Sequence, residues 1–415
     1  MKEPVSKAAP APVRKRANLS SSPLSRPESL IHMTAARMQE YLYFPAPEPL
    51  YVLLGTIVAN MMDGNPVWVM LVGAPSSGRT ILLETLAGLM PDKNLKVQNP
   101  LARVHIVGAI KGPGALLSGT GSKEKTAGAT GGLLKQIGGR GMLVMKDFTS
   151  MLSLPAEALT ESMGALREIY DGRYSRPLGT EGGRVLEWKG KIGFLGAVTP
   201  AIDRKHTVTS DLGERWIYYR YPETDGYGES MKSLNNREPD LMMTELRALI
   251  LNFVESLDIT WVGETRRELE TGESNRLFAI AAIMVRARST VPRDGFTKEV
   301  IDIAHREAPA RLTSALGQLY LGLERIGLEE NERWKIIGKM AFDSAPQIRT
   351  KVLQLLYAGQ GVNGYKVGFL REHIKCSSRT VAVTVEDMRI HGLVERVVEE
   401  EKKTGAGGSK KLRGW

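Results

Sequence analysis

The sequence predicts a three-layer α/β core, an α-helical second region and a small C-terminal winged helix-turn-helix. Short apolar runs, typical of buried parallel strands, alternate with helical segments up to about residue 222. Residues 240–343 contain little strand signal and several helical patterns. Residues 344–415 follow the order helix, helix, turn, capped helix, glycine and two short strands, which is the outline of a winged helix.

Composition narrows the class of protein and of partner. The 415-residue chain has a formal net charge of +10, which favours a polyanionic partner, although many soluble proteins are also basic. Its single cysteine, Cys376, excludes an intramolecular disulfide framework and fits a reducing compartment. No apolar stretch approaches the roughly 20 residues that cross a bilayer, and no apolar core follows the basic N-terminus as in a secretory signal. We therefore expect a cytoplasmic protein with no membrane partner.

Residues 1–29 differ in composition from the rest of the chain. They are rich in Pro, Ala, Ser, Lys and Arg, so they cannot bury a hydrophobic core. We predict a disordered basic arm there, either simply solvated or touching nucleic-acid phosphates. The α/β core then occupies residues 30–239, and an apolar helix at 51–62 leads into its first strand.

Four apolar runs are the first predicted strands of the core. They lie at residues 67–72, 104–110, 142–145 and 192–198, and a helix at Ala156–Tyr170 separates the last two. Two glycine-rich excursions, at 112–132 and 172–190, interrupt this alternation. Both are longer than ordinary connections in compact domains, so we expect them to be functional.

The segment after the first strand is the main site prediction. It has the P-loop spacing G-x-x-x-x-G-K-[ST], with Arg79 where lysine is expected. A buried strand, a turn that exposes backbone N–H groups and a helix N-terminus favour phosphate binding, and the Thr80 hydroxyl would hold Mg²⁺. The alternative is a glycine-rich turn that binds nothing. The residues predicted to bind ATP are Gly73, Ala74, Pro75, Ser76, Ser77, Gly78, Arg79, Thr80 and Ile81.

Three further residues complete the predicted catalytic site. The strand at 142–145 runs into Asp147, which we assign to Mg²⁺ or to polarising the attacking water; the alternative is a surface aspartate that ends a strand. The strand at 192–198 ends at Thr199, whose hydroxyl would face the γ-phosphate and hold the water. Arg215, just before another apolar run, would stabilise transition-state charge across a subunit boundary, unless it forms a structural salt bridge.

Two helical units follow the core. The lid at 240–343 has predicted helices at 241–257, 275–288, 297–306 and 310–325. The winged-helix unit at 344–415 has predicted helices at 346–358, Val367–Ile374 and 379–391, with Ser378 as N-cap, Gly392 as the stop, and paired strands at 393–399 and 410–415. Arg379 and Thr380, near the start of the third helix, would approach base edges or phosphates, unless the unit docks a protein instead.

The order of these features resembles the AAA+ module of the minichromosome maintenance (MCM-type) replicative helicases over residues 50–345. The family's P-loop matches residues 73–80, and its segment EAGALVLADGGVCCIDEF resembles residues 130–148. Its helix LLEAMEQQ resembles residues 165–170. Its sensor strand AAANP resembles residues 196–200, and its arginine finger SRFD resembles residues 213–216. The resemblance implies ATP, Mg²⁺ and a homo-oligomeric ring, hexameric in form. It also makes Arg276 the lid arginine that contacts the γ-phosphate of the neighbouring subunit.

The same resemblance implies a role in DNA binding for the two glycine-rich excursions. Residues 180–191 would form a β-hairpin that projects into the ring channel, and residues 111–130 would be a companion insert. Positive side chains in such a channel follow a phosphate backbone without reading sequence, although each charge taken singly is also compatible with plain solvation. The predicted DNA-contacting residues here are Lys111, Lys123, Lys125, Arg184, Trp188, Lys189 and Lys191.

Two departures from the family pattern leave the activity open. Arg79 replaces the P-loop lysine, and a guanidinium is wide and planar where an ammonium is a compact charge. Lys146 falls at the metal-holding aspartate, and Asp147 at the glutamate that follows it. The sequence favours an ATP-dependent helicase or replication initiator of a phage or mobile element, acting on single-stranded or forked DNA. The alternatives are a nucleotide-switched DNA-binding scaffold with little hydrolysis, and an AAA+ transcriptional activator or chaperone.

Overall fold

The structure is a computed structural model. It describes residues 27–87, 100–110, 112–117, 132–177, 185–206, 215–261, 263, 265–359, 364–400 and 410–414. These residues form a mixed α/β structure around a parallel central sheet, as the sequence predicts. Residues 1–26 of the predicted N-terminal arm lie outside them. None of the helices in these ranges is long and apolar enough to cross a bilayer.

Nine strands in the described residues form three sheets. In chain order they are β1 Trp68–Val72, β2 Val104–Val107, β3 Arg140–Met145, β4 Arg173–Pro177, β5 Val185–Lys189, β6 Lys191–Val198, β7 Trp216–Arg220, β8 Val397–Glu400 and β9 Lys410–Gly414. The central sheet has five parallel strands in the order β2-β3-β6-β1-β7, so β1 lies between β6 and β7. Strands β4 and β5 form an antiparallel hairpin, and so do β8 and β9.

The helices of the described residues lie on both faces of the sheet and C-terminal to it. They are Pro27–Tyr41, Glu48–Met61, Arg79–Glu84, Gly114–Leu117, Leu133–Ile137, Phe148–Leu152, Ala156–Tyr170, Tyr227–Asn235, Pro239–Ser256, Thr271–Arg288, Ala310–Arg325, Glu330–Asp343, Gln347–Ala358, Val367–Ile374 and Ser378–Ile390, with a 3₁₀ helix at Pro200–Lys205. Three of them, Ala156–Tyr170, Ala310–Arg325 and Val367–Ile374, have the bounds that the sequence predicts.

Strand β1 is buried along its whole length, because helices cover the sheet on both faces. Trp68 points into the hydrophobic cluster that contains the helix Ala156–Tyr170. The next residue, Val69, points into the opposite cluster, which contains the helices Glu48–Met61 and Ala310–Arg325. The predicted three layers, helix on sheet on helix, are therefore present.

The lid helices, from Pro239–Ser256 to Glu330–Asp343, pack in the same hydrophobic cluster as one face of the central sheet and do not form a separate core. The helices Glu48–Met61 and Ala310–Arg325 meet closely, since a Cβ on Gly322 would lie 2.3 Å from the Gly55 carbonyl oxygen. Glycine lets the two backbones approach to this distance. The predicted lid and the α/β core therefore share one hydrophobic cluster.

The prediction of a helix at residues 297–306 is wrong. The chain turns there instead, and Lys298 has a left-handed φ of +66°. The Asp294 carboxylate accepts hydrogen bonds from the Phe296 and Thr297 amides at 2.8 and 2.6 Å. Side-chain acceptors of this kind compete with helical backbone bonds, so a local turn replaces the helix.

The C-terminal unit has its own buried cluster and the predicted order of elements. The helices Gln347–Ala358, Val367–Ile374 and Ser378–Ile390 enclose the cluster. The N-cap of the third helix is Ser377, one residue before the predicted Ser378, and its hydroxyl accepts a hydrogen bond from the Thr380 amide at 3.1 Å. Gly392, with a φ of +72°, ends that helix as predicted, and β8 pairs with β9 as predicted.

Candidate nucleotide site and nucleic-acid surfaces

The P-loop segment joins β1 to the helix Arg79–Glu84 at the carboxyl edge of the central sheet. Ser76 and Gly78 have left-handed φ angles of +65° and +75°. Left-handed residues in a tight turn orient successive N–H groups into an anion-binding concavity. Gly78 adopts this angle without strain because it lacks a Cβ. The local backbone therefore fits a phosphate-binding loop.

Gly73, the first glycine of the motif, lies in a tightly packed position. A Cβ at this position would lie 3.0 Å from Ser77 Oγ and 3.2 Å from both Arg79 Nε and Tyr221 Cβ. The Gly73 amide donates to the Val198 carbonyl at 3.1 Å. The start of the loop is thus fastened to the end of β6.

Arg79, the residue that departs from the motif, is turned inward. Its guanidinium donates from Nε to Ser77 Oγ at 2.9 Å, from Nη2 to the Ala74 carbonyl at 2.8 Å, and from Nη1 to the Leu71 and Val198 carbonyls. The residue is 8% exposed, and burial lowers the pKa of the guanidinium, which nevertheless stays charged. All these partners are neutral oxygen atoms. Arg79 therefore joins the loop to the ends of β1 and β6.

The segment after β3 places a lysine and an aspartate at the carboxyl edge of the central sheet. Lys146 forms an ion pair with Glu84, at the end of the P-loop helix, with Nζ 2.7 Å from Oε1. Asp147 is exposed, and its Oδ1 accepts a hydrogen bond from the Ser150 amide at 3.2 Å as the N-cap of the next helix. Sequence reasoning missed Glu84, which neutralises the lysine that stands at the metal-holding position of the resemblance.

Thr199 follows β6, the strand beside β1, so it lies next to the P-loop. Its amide donates to Thr149 Oγ1 at 3.0 Å, and the two hydroxyl oxygens are 3.4 Å apart. Thr149 lies two residues after Asp147, on the helix Phe148–Leu152. The sheet edge therefore brings together the P-loop, Asp147 and Thr199, and Thr149 is a second positioning residue that the sequence reasoning missed.

A cavity of about 660 Å³ opens beside the P-loop, within the usual size range of ligand pockets. Its walls come from residues 76–81, residues 41–44 and the helix Tyr227–Asn235. The Tyr43 ring lies against Gly228, where a Cβ would be only 2.2 Å from Tyr43 Cε2. An aromatic wall next to a phosphate-binding loop suits a nucleobase. Sequence reasoning missed this wall because residues 41–44 precede the motif by a whole helix.

The oxygen donors near the P-loop fit a magnesium ion that is shared with phosphates. In nucleotide sites Mg²⁺ usually takes one or two protein oxygens, several waters and phosphate oxygens. The Thr80 hydroxyl and the Asp147 carboxylate are both exposed at this edge. Within the described ranges, no group of three or more His, Cys, Asp and Glu side chains forms a metal site of its own. A metal here would therefore depend on bound phosphates.

The two arginines predicted to act on a neighbouring subunit have partners within this chain. Arg215 lies at the amino end of β7, the edge opposite the P-loop, because β7 runs parallel to β1. It is 7% exposed, its Nη2 is 3.2 Å from Asp171 Oδ2, and its guanidinium carbon is 5.6 Å from the centre of the Tyr170 ring. Burial lowers its pKa, and this geometry is that of a structural salt bridge. Arg276 is exposed, with its guanidinium carbon 4.2 Å from the centre of the Trp334 ring.

A hairpin precedes β6, and its first strand begins at Arg173, earlier than the sequence predicts. Its inner face is packed, since Trp188 is 8% exposed and its Nε1 donates to the Gly138 carbonyl at 2.9 Å. On the outer face, Arg173 pairs in register with Lys189, and both are exposed. Like charges directly opposite each other destabilise a hairpin unless an anion neutralises them. Arg173, which sequence reasoning missed, thus joins Lys189 as a candidate phosphate contact, whereas Trp188 belongs to the core.

Lys191 lies at the base of the hairpin and points into the protein. Its Nζ donates to the Met62 carbonyl at 2.8 Å, and burial lowers the pKa of the ammonium to about 7. The resemblance implies a DNA contact for Lys191, but in the structure its ammonium is bound within the chain. The remaining predicted contacts in these loops, Lys111, Lys123, Lys125 and Arg184, lie outside the described residues.

At the start of the helix Ser378–Ile390, Arg379 and Thr380 are exposed, but both have intramolecular partners. Arg379 Nη2 donates to the Phe296 and Thr297 carbonyls at 3.1 and 3.0 Å. The Thr380 hydroxyl lies 2.8 Å from the Ser377 hydroxyl. The lid therefore contacts the helix that the sequence predicts to meet DNA.

Comparison with models of known protein families and with curated proteins finds no match for the chain. The likeness to MCM-type helicases accordingly stays a resemblance in motif order. Function is inferred from the carboxyl edge of the sheet and from its cavity.

Proposed function

We propose that this chain is an ATP-binding AAA+ module, similar to that of MCM-type helicases, which acts on DNA as a homo-oligomeric ring. The resemblance implies six subunits in that ring. The observation that carries the proposal is the carboxyl edge of the sheet. There the P-loop turn, Thr80, Asp147 and Thr199 come together beside a cavity with an aromatic wall. Open α/β sheets bind their ligands at this edge.

Each group at the edge has a role in this proposal. The P-loop amides bind the phosphates, and residues 41–44 provide the wall for the base. Thr80 and Asp147 hold Mg²⁺, which neutralises phosphate charge when it is bound. Thr199, fixed through Thr149, orients the water that attacks the γ-phosphate. Positioning and charge neutralisation of this kind account for most of the catalysis of phosphoryl transfer.

A neighbouring subunit in the ring supplies an arginine to the same site. Arg276 is the better candidate, because its guanidinium is exposed and only stacked on Trp334. Arg215 contributes only if its buried pair with Asp171 opens at the subunit boundary. Breaking a buried ion pair leaves a desolvated charge without its partner, which is energetically unfavourable. Arg276 is therefore the first choice for the arginine that acts on the neighbouring subunit.

Three features support DNA as the partner. The net charge of +10 favours a polyanion, and the exposed Arg173–Lys189 pair provides a phosphate contact on the hairpin. Three helices followed by a two-stranded sheet support a winged helix at the C-terminus.

Electron microscopy of the purified protein with ATP and forked DNA tests the ring. A protein that stays monomeric under these conditions contradicts it.

Titration calorimetry of the full chain with ATP and Mg²⁺ tests the nucleotide site. Gly78→Ala places a methyl group at a φ of +75°, in open space, so it disturbs only the loop backbone. We expect about tenfold weaker ATP binding, since a tenfold loss corresponds to ~1.4 kcal/mol and the strain of such a residue is of that order. Gly392→Ala is the matched control, because Gly392 has a φ of +72° with only an ordinary van der Waals contact at 3.8 Å, in the C-terminal unit away from the loop. Equal affinities of the two variants, or no binding by the wild type, would overturn the proposal.

A nucleotide-switched DNA-binding scaffold with little hydrolysis is the second candidate function. Two contacts favour it: Arg79 is held by the loop itself, and Lys146 with Glu84 stands where an acid would hold the metal. Fast phosphoryl transfer uses a flexible lysine and a metal-bound acid at these places. This candidate predicts tight ATP binding without turnover by the wild type, and hydrolysis by Arg79→Lys. Steady turnover by the wild-type protein contradicts it.

A further inference from the structure

The lid segment 290–298, which we call the strap, contacts the helix Ser378–Ile390 of the C-terminal unit. Arg293, in the strap, donates from Nε to Asp387 Oδ1 at 2.8 Å and from Nη2 to Glu386 Oε2 at 3.0 Å. The Arg293 side chain is only 11% exposed, so water screens these charge-assisted bonds weakly. They hold the strap in place more firmly than ion pairs on an open surface would.

Arg379 makes the reverse contact, from the helix to the strap. Its Nη2 donates to the carbonyls of Phe296 and Thr297, while the Asp294 carboxylate accepts the amides of the same two residues. Asp294 thus forms the turn that presents both carbonyls to Arg379. The first turn of the helix, where a DNA-reading helix contacts bases, is therefore engaged by the strap.

Arg349 connects the two units beneath the strap. It lies on the first helix of the C-terminal unit, is 6% exposed, and donates to Asp387 Oδ2 at 2.9 Å. The same guanidinium donates to the Ala287 and Ser289 carbonyls, at the C-terminal end of the lid helix Thr271–Arg288. A cation at a helix C-terminus is stabilising. Asp387 is thereby shared by one arginine from each unit.

The strap lies over the side of the helix that is opposite the core of the C-terminal unit. The buried side carries Val381, Thr384, Val385 and Met388. By helical spacing, the opposite side carries Arg379, Val383, Glu386 and Ile390. Glu386 and Val383 are only partly exposed on that side. A helix that enters a major groove needs this side free.

The charge of the outer side also disfavours nucleic acid. Without the strap, Glu386 would face a phosphate backbone, and like charges repel. Arg293 pairs with Glu386 in the structure and shares Asp387, on the flank of the helix, with Arg349. The part of the outer side that carries Glu386 therefore complements a cationic protein segment better than it complements DNA.

We propose that the helix Ser378–Ile390 is a docking surface for the lid of its own chain, and that the lid and the C-terminal unit move as one body. The proposal refines the winged-helix part of the proposed function, because it removes Arg379 from the DNA interface. The docked helix gives the C-terminal unit a fixed position relative to the helix that carries Arg276. Rearrangement of the lid at the nucleotide site then carries the C-terminal unit with it.

Hydrogen–deuterium exchange of the full chain, without ATP or DNA, tests the docking. Arg293→Ala is expected to give roughly tenfold faster exchange in both the strap and the helix Ser378–Ile390, because local opening costs less. Arg306→Ala is the control, since Arg306 is an exposed arginine of the lid that lies outside the strap. Unchanged exchange in Arg293→Ala overturns the docking and leaves the ATP site, which calorimetry tests independently, unaffected.

Fluorescence anisotropy with a short labelled DNA duplex separates docking from DNA reading. We expect Arg379→Ala to change duplex affinity no more than Arg389→Ala, which removes an exposed arginine from the same helix. We also expect Arg293→Ala to bind the duplex no more tightly than Arg306→Ala. A selective loss in Arg379→Ala, or a selective gain in Arg293→Ala, overturns the proposal by making the helix a DNA-reading helix that the strap covers. If no variant binds the duplex, but Arg293→Ala speeds up exchange in the strap as expected, the docking is supported. That result contradicts only the DNA-binding role of the winged helix.

Discussion

Two buried arginines lie at opposite edges of the same sheet, and their surroundings differ. At the carboxyl edge, Arg79 bonds only neutral oxygen atoms, from the loop and from the ends of β1 and β6. At the amino edge, Arg215 is paired with the Asp171 carboxylate and lies over the Tyr170 ring. A carboxylate in direct contact cancels most of the field of a cation, whereas neutral dipoles solvate the charge. Asp147 also lowers the field of Arg79, but without a direct ion pair. The charge at the carboxyl edge is therefore more available to an anion than the charge at the amino edge, which its own ion pair closes.

The largest expected effect tests this contrast directly. Arg79→Met removes the positive charge at the carboxyl edge, so we expect ATP binding to weaken by about tenfold or more, as for the loss of a charge-assisted contact. Arg215→Met removes an arginine of similar burial from the other edge, and we expect ATP affinity to stay within about twofold of the wild type. Calorimetric titration with ATP and Mg²⁺ measures both. Similar losses in the two variants would show that the two edges do not differ in this way.

The next prediction concerns how the free energy of unfolding depends on pH. It rests on Lys191, the inward-pointing lysine at the base of the hairpin. Burial lowers the pKa of Lys191 to about 7 in the folded state, below the value of about 10.4 for an exposed lysine. Between these values the unfolded chain binds more protons, so the free energy of unfolding rises with pH. The destabilisation is complete below pH ~7 and disappears above the pKa of the unfolded state.

Urea unfolding of the wild type and of Lys191→Met at several pH values measures this effect. In the window between the two pKa values, the wild-type free energy of unfolding should rise more steeply than that of the variant, by up to ~1.4 kcal/mol per pH unit. Lys191→Met keeps a long, unbranched side chain and removes the titrating ammonium group. Parallel pH profiles of the two proteins would mean that Lys191 is not buried as an ammonium.

The smallest effects separate the two faces of the hairpin. Arg173→Ala and Lys189→Ala should each weaken single-stranded DNA binding and lower the slope of log affinity against log salt by about 0.7, the value for one phosphate contact. Trp188→Phe should leave DNA binding unchanged and lower the free energy of unfolding by at least ~1 kcal/mol, because the bond to Gly138 and part of the buried ring's packing are lost. A DNA defect in Trp188→Phe without a stability defect would place the indole, and not the outer face, against DNA.

The elements that the sequence predicts well are those whose signals are local. The apolar run before Gly73, the helix Ala156–Tyr170 and the stop at Gly392 each depend on neighbouring residues, and the structure has them where they are expected. The helix at 297–306 is the converse case. One side chain, Asp294, captures two backbone amides and outweighs the helical preference of the residues that follow.

The features that the sequence does not predict depend on contacts between distant segments. The inward position of Arg79 depends on the Val198 carbonyl, which β6 brings beside the P-loop. The cavity wall at residues 41–44 and the salt bridge of Arg215 with Asp171 likewise join segments that are separated in the chain. Motif spacing predicts a phosphate-binding loop, but it carries no information about which side chains the fold places around it.

Hydrogen–deuterium exchange of the full chain with and without ATP and Mg²⁺ tests the central claim most directly, because it reports both binding and its place. Binding at the carboxyl edge predicts slower exchange of the amides in residues 73–81 and after Asp147, with no change at Arg215 and the start of β7. Slower exchange at the amino edge, or no protection of the P-loop at saturating ATP, would contradict the assignment of this edge as the nucleotide site.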